Sequence, residues 1–443
     1  MMNAKPLGWT GIIRLGLVQS AIGAVVMLAT SLLNRVMVVE FALPAALPAG
    51  LVAWHYAVQL SRPVWGHGSD QGKRRTPWII GGMAVLVIGA LVAVDALAVI
   101  SVDWALGVAM SVFAYALIGA GVGASGTSLL ALLATQVAPE RRAAAASITW
   151  IMMVMGIVVT AGIASKLVDP FSIQRLALVV SGVAIVAYVV TCLAVWRVER
   201  VGSNFTETLS STKASQSFGD SVRDMYADPA ARRFTIFVFL SMLAYSMQDM
   251  ILEPFAGLMF GYTPGQSTGL SGVQHGGVLI GMILVGIGGS GFGRGSPTAM
   301  RRWIFAGCIG STVALAGLAA AARIGPSWPL AANIALLGFA NGVFAVAAIS
   351  AMMGLAGAAG PQREGVRMGV WGAAQAIAFG LGGLIGAVGV DIGRAVMGAP
   401  DQAFIMVFAA EAMLFLVAAA LSLRVTAGAI RPSAIHGLEE YPV

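Results

Sequence analysis

The sequence predicts an all-α membrane protein: twelve transmembrane helices in two pseudo-symmetric halves of six. Three observations carry that expectation. Hydrophobic residues make up 58% of the 443 and charged residues only 10%, where a soluble domain carries roughly 25% charge, so most of the surface suits lipid. The stretches between charges are apolar and near or above the ~18 to 20 residues that cross a bilayer as helix. That length, and the lack of period-two alternation, excludes strands. The third observation is repetition. Gly66-His67-Gly68-Ser69 leads to Arg74-Arg75 and Trp78-Ile79; some two hundred residues further on, Gly293-Arg294-Gly295-Ser296 leads to Arg301-Arg302 and Trp303-Ile304. Pro139-x-Arg141 before Trp150 is echoed by Pro361-x-Arg363 before Trp371, and Asn34-Arg35 with Glu40 by Gln248-Asp249 with Glu253. Membrane proteins built from two similar halves place their sites at the seam between them.

In chain order, the first half offers the runs Leu15–Asn34, Phe41–Ser61, Thr76–Val94, Trp104–Pro139, Ala143–Ser165 and Leu176–Trp196. The second offers Phe234–Gln248, Pro254–Gly293, Trp303–Ala322, Ile324–Gln362, Met368–Val390 and Gln402–Leu423, the last broken only by Glu411. The longest runs contain Gly, Pro and polar breaks, so each is expected to hold one span plus a loop; on that reading His275 opens the eighth helix. The halves are then residues 1–196 and 233–424. Residues 197–232, rich in Ser and Thr, read as a linker with an interfacial helix expected near Val222–Tyr226, and residues 425–443 as a tail. Helix 4 carries Gly119, Gly121, Gly123 and Gly126, and helix 11 carries Gly380, Gly382, Gly383 and Gly386. Such glycines let helix backbones approach closely in lipid.

The net charge of +7 is explained by sidedness and does not call for a nucleic-acid partner. With a cytoplasmic N-terminus, all of the 26 Lys and Arg except Arg35, Lys166, Arg175, Arg323 and Arg394 fall at the inner face, a strong positive-inside bias that puts both termini in the cytoplasm. No cleavable signal is expected, because the first span is too long for a signal core. Cys192 and Cys308 fall inside spans and read as small buried residues. The four histidines lack metal-site spacing, and there is no phosphate-binding loop, nucleotide fingerprint or nucleophile elbow. Neither a catalytic set nor a metal site is predicted, and ATP-driven transport has no support.

The chemistry-bearing residues are those that an apolar chain tolerates least. Asn34, Arg35 and Glu40 lie at the outer end of helix 1, and Gln248, Asp249 and Glu253 toward the outer end of helix 7. Intramembrane polar groups are costly and face the bundle interior. Opposite charges at equivalent places predict a contact between the halves, Arg35 with Asp249 or Glu253; the alternative is separate interfacial residues reaching for water. Glu411 stands near mid-bilayer on helix 12, where a lone carboxyl is expected to face inward. His55, between Trp54 and Tyr56, and His275, beside Gln274, read as packed or interfacial histidines. The hairpin Gly66-His67-Gly68-Ser69-Asp70-Gln71-Gly72-Lys73-Arg74-Arg75 resembles the signature loop of the major facilitator superfamily, Gly-x-x-x-Asp-x-x-Gly-x-Arg-Arg/Lys. Gly66, Asp70, Arg74 and Arg75 supply its elements, and Gly72 stands one place early. The plain alternative is an anchor at anionic headgroups.

Leu33-Asn34-Arg35-Val36-Met37-Val38-Val39-Glu40, together with Met247-Gln248-Asp249-Met250-Ile251-Leu252-Glu253-Pro254 and Arg74-Arg75-Thr76-Pro77-Trp78-Ile79, resembles the PucC family of purple phototrophic bacteria. The likeness runs through nearly the whole chain. Within the family it is most similar to the branch labelled an accessory chain of bacteriochlorophyll synthase; the antenna-assembly branches usually carry a longer arm before helix 1. The resemblance implies the major facilitator architecture and a place in the bacterial inner (intracytoplasmic) membrane. It also implies a non-catalytic factor that binds bacteriochlorophyll or a late precursor and hands it from the synthase to antenna or reaction-centre apoproteins. A magnesium bacteriochlorin needs one axial ligand, an apolar slot and lipid access for its tail. On that implication Glu253 with Gln248, Asn34 and Glu40 are the favoured pigment-binding neighbourhood, ahead of His275 and His55. The residues alone leave two alternatives open: a secondary transporter using Glu411, Asp249 or Glu253 as proton-coupling carboxyls, and a scaffolding subunit of a pigment-synthesis enzyme.

Overall fold

A computed structural model describes residues 7–62, 65, 74–138, 142–199, 227, 229–291, 297–357 and 361–425. Gly66 and Asp70, most of the 197–232 linker with its expected interfacial helix, and the tail from 426 onward lie outside the described residues. The first half contains α1 (Trp9–Glu40), α2 (Ala46–Gln59), α3 (Thr76–Ile100), α4 (Trp104–Gln136), α5 (Arg142–Leu167) and α6 (Ile173–Val195). In the second half α7 is composite: Pro229–Met247, a tighter 3-10 turn at Gln248–Met250, and Leu252–Phe260. It is followed by α8 (Pro264–Gly291), α9 (Pro297–Ile324), α10 (Leu330–Gly357), α11 (Pro361–Met397) and α12 (Pro400–Val425). Among the described residues there is no strand, and eleven helices are long and apolar enough to cross a membrane. The remaining one, α2, has 14 residues and stands where the second span was expected.

Two element boundaries differ from the sequence reading. The run from Trp104 holds no internal loop: α4 is one helix of 33 residues, started by the Asp103 carboxylate, which accepts from Leu106 N at 3.0 Å. Gly119 and Gly121 make the close approaches expected of them, a Cβ on Gly119 coming within 2.5 Å of His55 O on α2, whereas Gly126 faces open space. His275 does not open α8 but lies three turns inside it. The break comes earlier, where Gly261 adopts φ 67° and ends α7. Pro264 then begins α8, a position where its missing N–H costs nothing.

The packing repeats itself. In the first half α1 lies on α5 and α6, α3 on α4 and α6, and α2 on α4; in the second, α7 lies on α11 and α12, α9 on α10 and α12, and α8 on α10. Each of these contacts recurs six helices later. Between the halves the extensive contacts are α5 with α8 and α2 with α11, which exchange under the same operation. Bare backbone makes these approaches possible. A side chain on Gly338 or Gly342 of α10 would run into Gln274 O and Val278 O of α8, and one on Gly386 would lie 2.5 Å from Met247 O. The two tryptophans of the repeat diverge: Trp371 is buried against Phe234 and donates to Thr235 Oγ1 at 3.0 Å, whereas Trp150 is exposed on the lipid-type surface.

Candidate functional site

Both central helices lose regular geometry at the same place in the repeat. α1 contains two π-helical turns, Leu28–Leu32 and Val36–Glu40, and α7 contains the 3-10 turn at Gln248–Met250. Irregular turns inside long helices free backbone groups and re-aim side chains, which is why they gather at functional sites. Pro254 has no N–H to give the carbonyl four residues back. That carbonyl, Met250 O, instead accepts from Asn34 Nδ2 of the other half at 2.8 Å.

A chain of polar contacts crosses the seam from there. Ser31 donates to Glu253 Oε1, and its oxygen lies 2.8 Å from Ser271 Oγ on α8. His275 Nδ1 sits 2.9 Å from Ser271 O, one turn along. Glu253, Ser31, Ser271 and His275 thus form one network joining α1, α7 and α8, which brings together the two residues expected from sequence to compete for a magnesium. Several buried atoms here find no hydrogen-bond partner among the described residues: Asn34 Oδ1, both amide atoms of Gln248, and Glu253 Oε2. Leaving such an atom unpaired costs about 1–3 kcal/mol, so an apolar core would not retain four of them without use.

Arg35 belongs to this seam but not with the expected partner. Its guanidinium pairs with Glu40 of its own helix and donates to Tyr262 O of the other half at 2.6 Å. Neither Asp249 nor Glu253 is its ion-pair partner. The π-helical turn explains the difference: it closes hydrogen bonds five residues apart, as in Phe41 N to Val36 O, and so draws residues 35 and 40 onto one face. Arg35 still links the halves, through a carbonyl rather than a carboxylate.

Asp249 points elsewhere. It lines a small cleft with Ala49, Val52 and Tyr56 of α2, Ser246 and Met250 of α7, and Phe379, Gly380 and Gly383 of α11. Glu411 is fully buried on α12, neither of its oxygens has a partner among the described residues, and it lies within electrostatic range of Asp249. His55 is not part of the seam network; it is buried with its Nε2 2.8 Å from Gln59 Nε2 on the next turn of α2. Of the hairpin residues, Arg74 is exposed, while Arg75 Nη1 donates to Ala131 O at 2.5 Å.

The structure adds a pair of contacts that residue-by-residue reading passed over. Asp169, after α5, accepts from Gly265 N at 3.1 Å and from the Thr263 hydroxyl at the start of α8. Asp391, on α11, accepts from Ala45 N at 3.1 Å and Ala46 N at 2.7 Å at the start of α2. Each half therefore caps a helix of the other with a carboxylate, favourable for both the free N–H groups and the helix dipole. A signal existed: Val168-Asp169 and Val390-Asp391 recur at the same separation as the two Pro-x-Arg marks. Ser31 and Ser271 carried no comparable signal. Glu199, just past α6, caps α3 in a similar way within the first half, accepting from Arg75 N at 2.8 Å and Thr76 N at 2.9 Å.

Two six-helix halves with matching contacts, meeting along a polar seam, define a membrane protein of the major facilitator fold. Solved structures agree. A bacterial homologue of the human lysosomal transporter Spinster, in an inward-facing and unoccupied conformation, superposes with a TM-score of 0.66 at 14% identity, covering 94% of this chain and 96% of that one. The nucleoside transporter NupG gives 0.65 at 12%, covering 94% and 98%. At such identities the likeness establishes the fold. The chain belongs to the PUCC protein family, whose profile matches residues 32–430. The Bacteriochlorophyll synthase 44.5 kDa chain of Rhodobacter capsulatus is 51% identical over 435 residues, 97% of this chain and 99% of that protein. Protein PucC of Cereibacter sphaeroides is 30% identical over 430 residues (91% and 90%), and Protein PucC of Rhodobacter capsulatus 28% over 434 (93% and 91%).

Proposed function

We propose that this protein serves photosynthetic pigment biogenesis: it binds bacteriochlorophyll or a late precursor and passes it on during assembly of antenna or reaction-centre complexes, with no catalytic step of its own. The observation that carries the reading is the 51% identity, along almost the full length of both chains, to a protein named as a chain of bacteriochlorophyll synthase. The same name makes the synthase the first candidate partner. On this reading the protein sits in the bacterial inner membrane with both termini in the cytoplasm, the orientation that its Lys and Arg distribution favours.

The pigment-binding neighbourhood in this proposal is the seam network of Glu253 with Ser31, Ser271 and His275, flanked by Asn34 and Gln248. Glu253 Oε2 has no partner among the described residues and His275 is half-buried, so either can offer an electron pair to magnesium. The π-helical and 3-10 turns supply backbone that can adjust around a ring. Purification in mild detergent from pigment-making cells tests the reading. Glu253→Gln keeps the volume and removes the charge, and His275→Ala removes the imidazole. Reduced co-purifying pigment in either variant supports this placement; undiminished pigment in both overturns it. Proton-coupled transport is a second reading, favoured by one observation: Glu411, a buried carboxyl with no partner among the described residues, on a fold shared with transporters. Proton-driven uptake into liposomes that is abolished by Glu411→Gln would favour it, and synthase activity co-purifying with pigment-free protein would favour a purely scaffolding role.

A further inference from the structure

We infer that the Tyr115 hydroxyl on α4 positions the seam network from behind, by holding the first π-helical turn of α1 in register. In a regular helix Leu33 N would donate to Ala29 O, four residues back. Here it reaches Leu28 O instead and closes the π-helical turn Leu28–Leu32. Ala29 O is taken up by another helix: the buried Tyr115 hydroxyl donates to it at 2.7 Å. The second π-helical turn solves the same problem locally. There Phe41 N reaches Val36 O, and Met37 O, passed over in the same way, accepts from Leu43 N at 3.0 Å. The first turn, by contrast, depends on a side chain of another helix.

A π-helical turn holds about one residue more than an α-helical one. Reversion to α-helix would therefore turn everything beyond it by about 100° relative to the chain before it. Ser31, Asn34 and Arg35 sit in or just past this turn, and each reaches the other half: Ser31 to Glu253 and Ser271, Asn34 to Met250 O, Arg35 to Tyr262 O. None of the three keeps its partner after such a rotation. Tyr115 is thus a positioning residue, acting on the Glu253 network through the backbone of α1. Its ring is packed in the core, so Tyr115→Phe removes the donor and leaves the packing. A buried carbonyl stripped of its donor should shift the balance between the π and α registers by roughly five- to 150-fold. The consequence for pigment rests on the role proposed above for that network; the consequence for the seam does not.

Disulfide formation reads the register without pigment. In full-length protein carrying Cys192→Ala and Cys308→Ala, held in nanodiscs, Ser31→Cys with Ser271→Cys sets two thiols where the hydroxyl oxygens lie 2.8 Å apart. Gly16→Cys with Met152→Cys is the control pair, because a Cβ on Gly16, ahead of the turn, meets the Met152 side chain. Oxidation by copper phenanthroline is followed by the gel shift of unreacted thiols with a maleimide polymer. Tyr115→Phe should slow cross-linking of the seam pair roughly five- to 150-fold and leave the control pair unchanged. Deleting Ala29 removes the extra residue, so that a regular helix delivers the same register; added to Tyr115→Phe, the deletion should restore the rate. Should Tyr115→Phe fail to fold, the deletion carries the test, since the combined variant should fold and cross-link as the wild type does. A seam rate unchanged by Tyr115→Phe, an equal slowing of both pairs, or no rescue by the deletion overturns the positioning role. In pigment-making cells Tyr115→Phe should also lower the co-purifying pigment. Slowed cross-linking with undiminished pigment supports the positioning role and counts against the pigment placement instead.

Discussion

Replacing Asp391 by alanine withdraws both acceptors that α11 offers to the first turn of α2, those for Ala45 N at 3.1 Å and Ala46 N at 2.7 Å. Losing an N-cap side chain costs about 0.5–2 kcal/mol, and losing a negative charge at a helix N-terminus costs about 0.3–1 more. Donor and acceptor stand on different halves, so this energy exists only while the halves meet at that face. One substitution should then shift the balance between closed and parted halves by about 1–3 kcal/mol, or roughly five- to 150-fold. Asp169→Ala should act alike through α8, and the two effects should add, because the caps share no partner. A cysteine at Val39 reports the parting, since that side chain is half-buried and packs against α7 at Gly257. With Cys192 and Cys308 replaced by alanine, the rate at which a membrane-impermeant maleimide modifies Val39→Cys in nanodiscs should rise by the stated factor in each single variant. It should rise further in the double. Unchanged rates in all three would refute the latch, and a rise confined to Asp391→Ala would reduce it to local fraying of α2.

Glu40→Gln should destabilise the protein by about 3 kcal/mol, because it leaves the buried Arg35 guanidinium without its counterion. For the pair itself Arg35→Ala should cost less, because the Glu40 it leaves behind reaches the surface. Denaturation of single and double variants should give a coupling of more than ~0.5 kcal/mol between Arg35 and Glu40 and none between Arg35 and Asp249; the reverse pattern would contradict the observed pairing. Gly338→Val should cost at least about 1–3 kcal/mol by forcing α10 off α8, whereas Gly162→Val, with open space at its Cβ position, should leave Tm nearly unchanged. In oriented vesicles bearing the latch substitutions, Val39→Cys should be labelled from the periplasmic side only; labelling from the cytoplasmic side would invert the proposed topology.

Much of the architecture was legible because lipid imposes a strong rule: uncharged runs of spanning length must be helices. The repeat was legible because paired marks such as Asn34-Arg35 and Gln248-Asp249 fall on equivalent helices. What sequence could not give was how the backbone deviates between the marks. Regular helical geometry places residues 35 and 40 on different faces, and only the π-helical turn joins them, so opposite charges on helices 1 and 7 were read as a pair across the seam. The glycines of α4 read as points of close approach, and Gly119 and Gly121 do sit against the backbones of α2 and α3. Glu253 and His275 were both named as candidate ligands, but the serines that tie them together could not be told from other small polar residues in spans. Asp169 and Asp391 recur at the spacing of the other repeat marks, but their use depends on which helix of the other half begins beside them.

Whether the protein carries pigment is tested most directly by its absorption spectrum. The protein is taken from bacteriochlorophyll-producing cells in mild detergent, separated by size exclusion from free pigment micelles, and compared with a mock preparation from cells lacking it. Bacteriochlorin bands should elute with the protein at a fixed molar ratio and diminish when the Glu253 network is altered. A protein peak with no bands above those of the mock preparation, from cells that make the pigment in abundance, would contradict it.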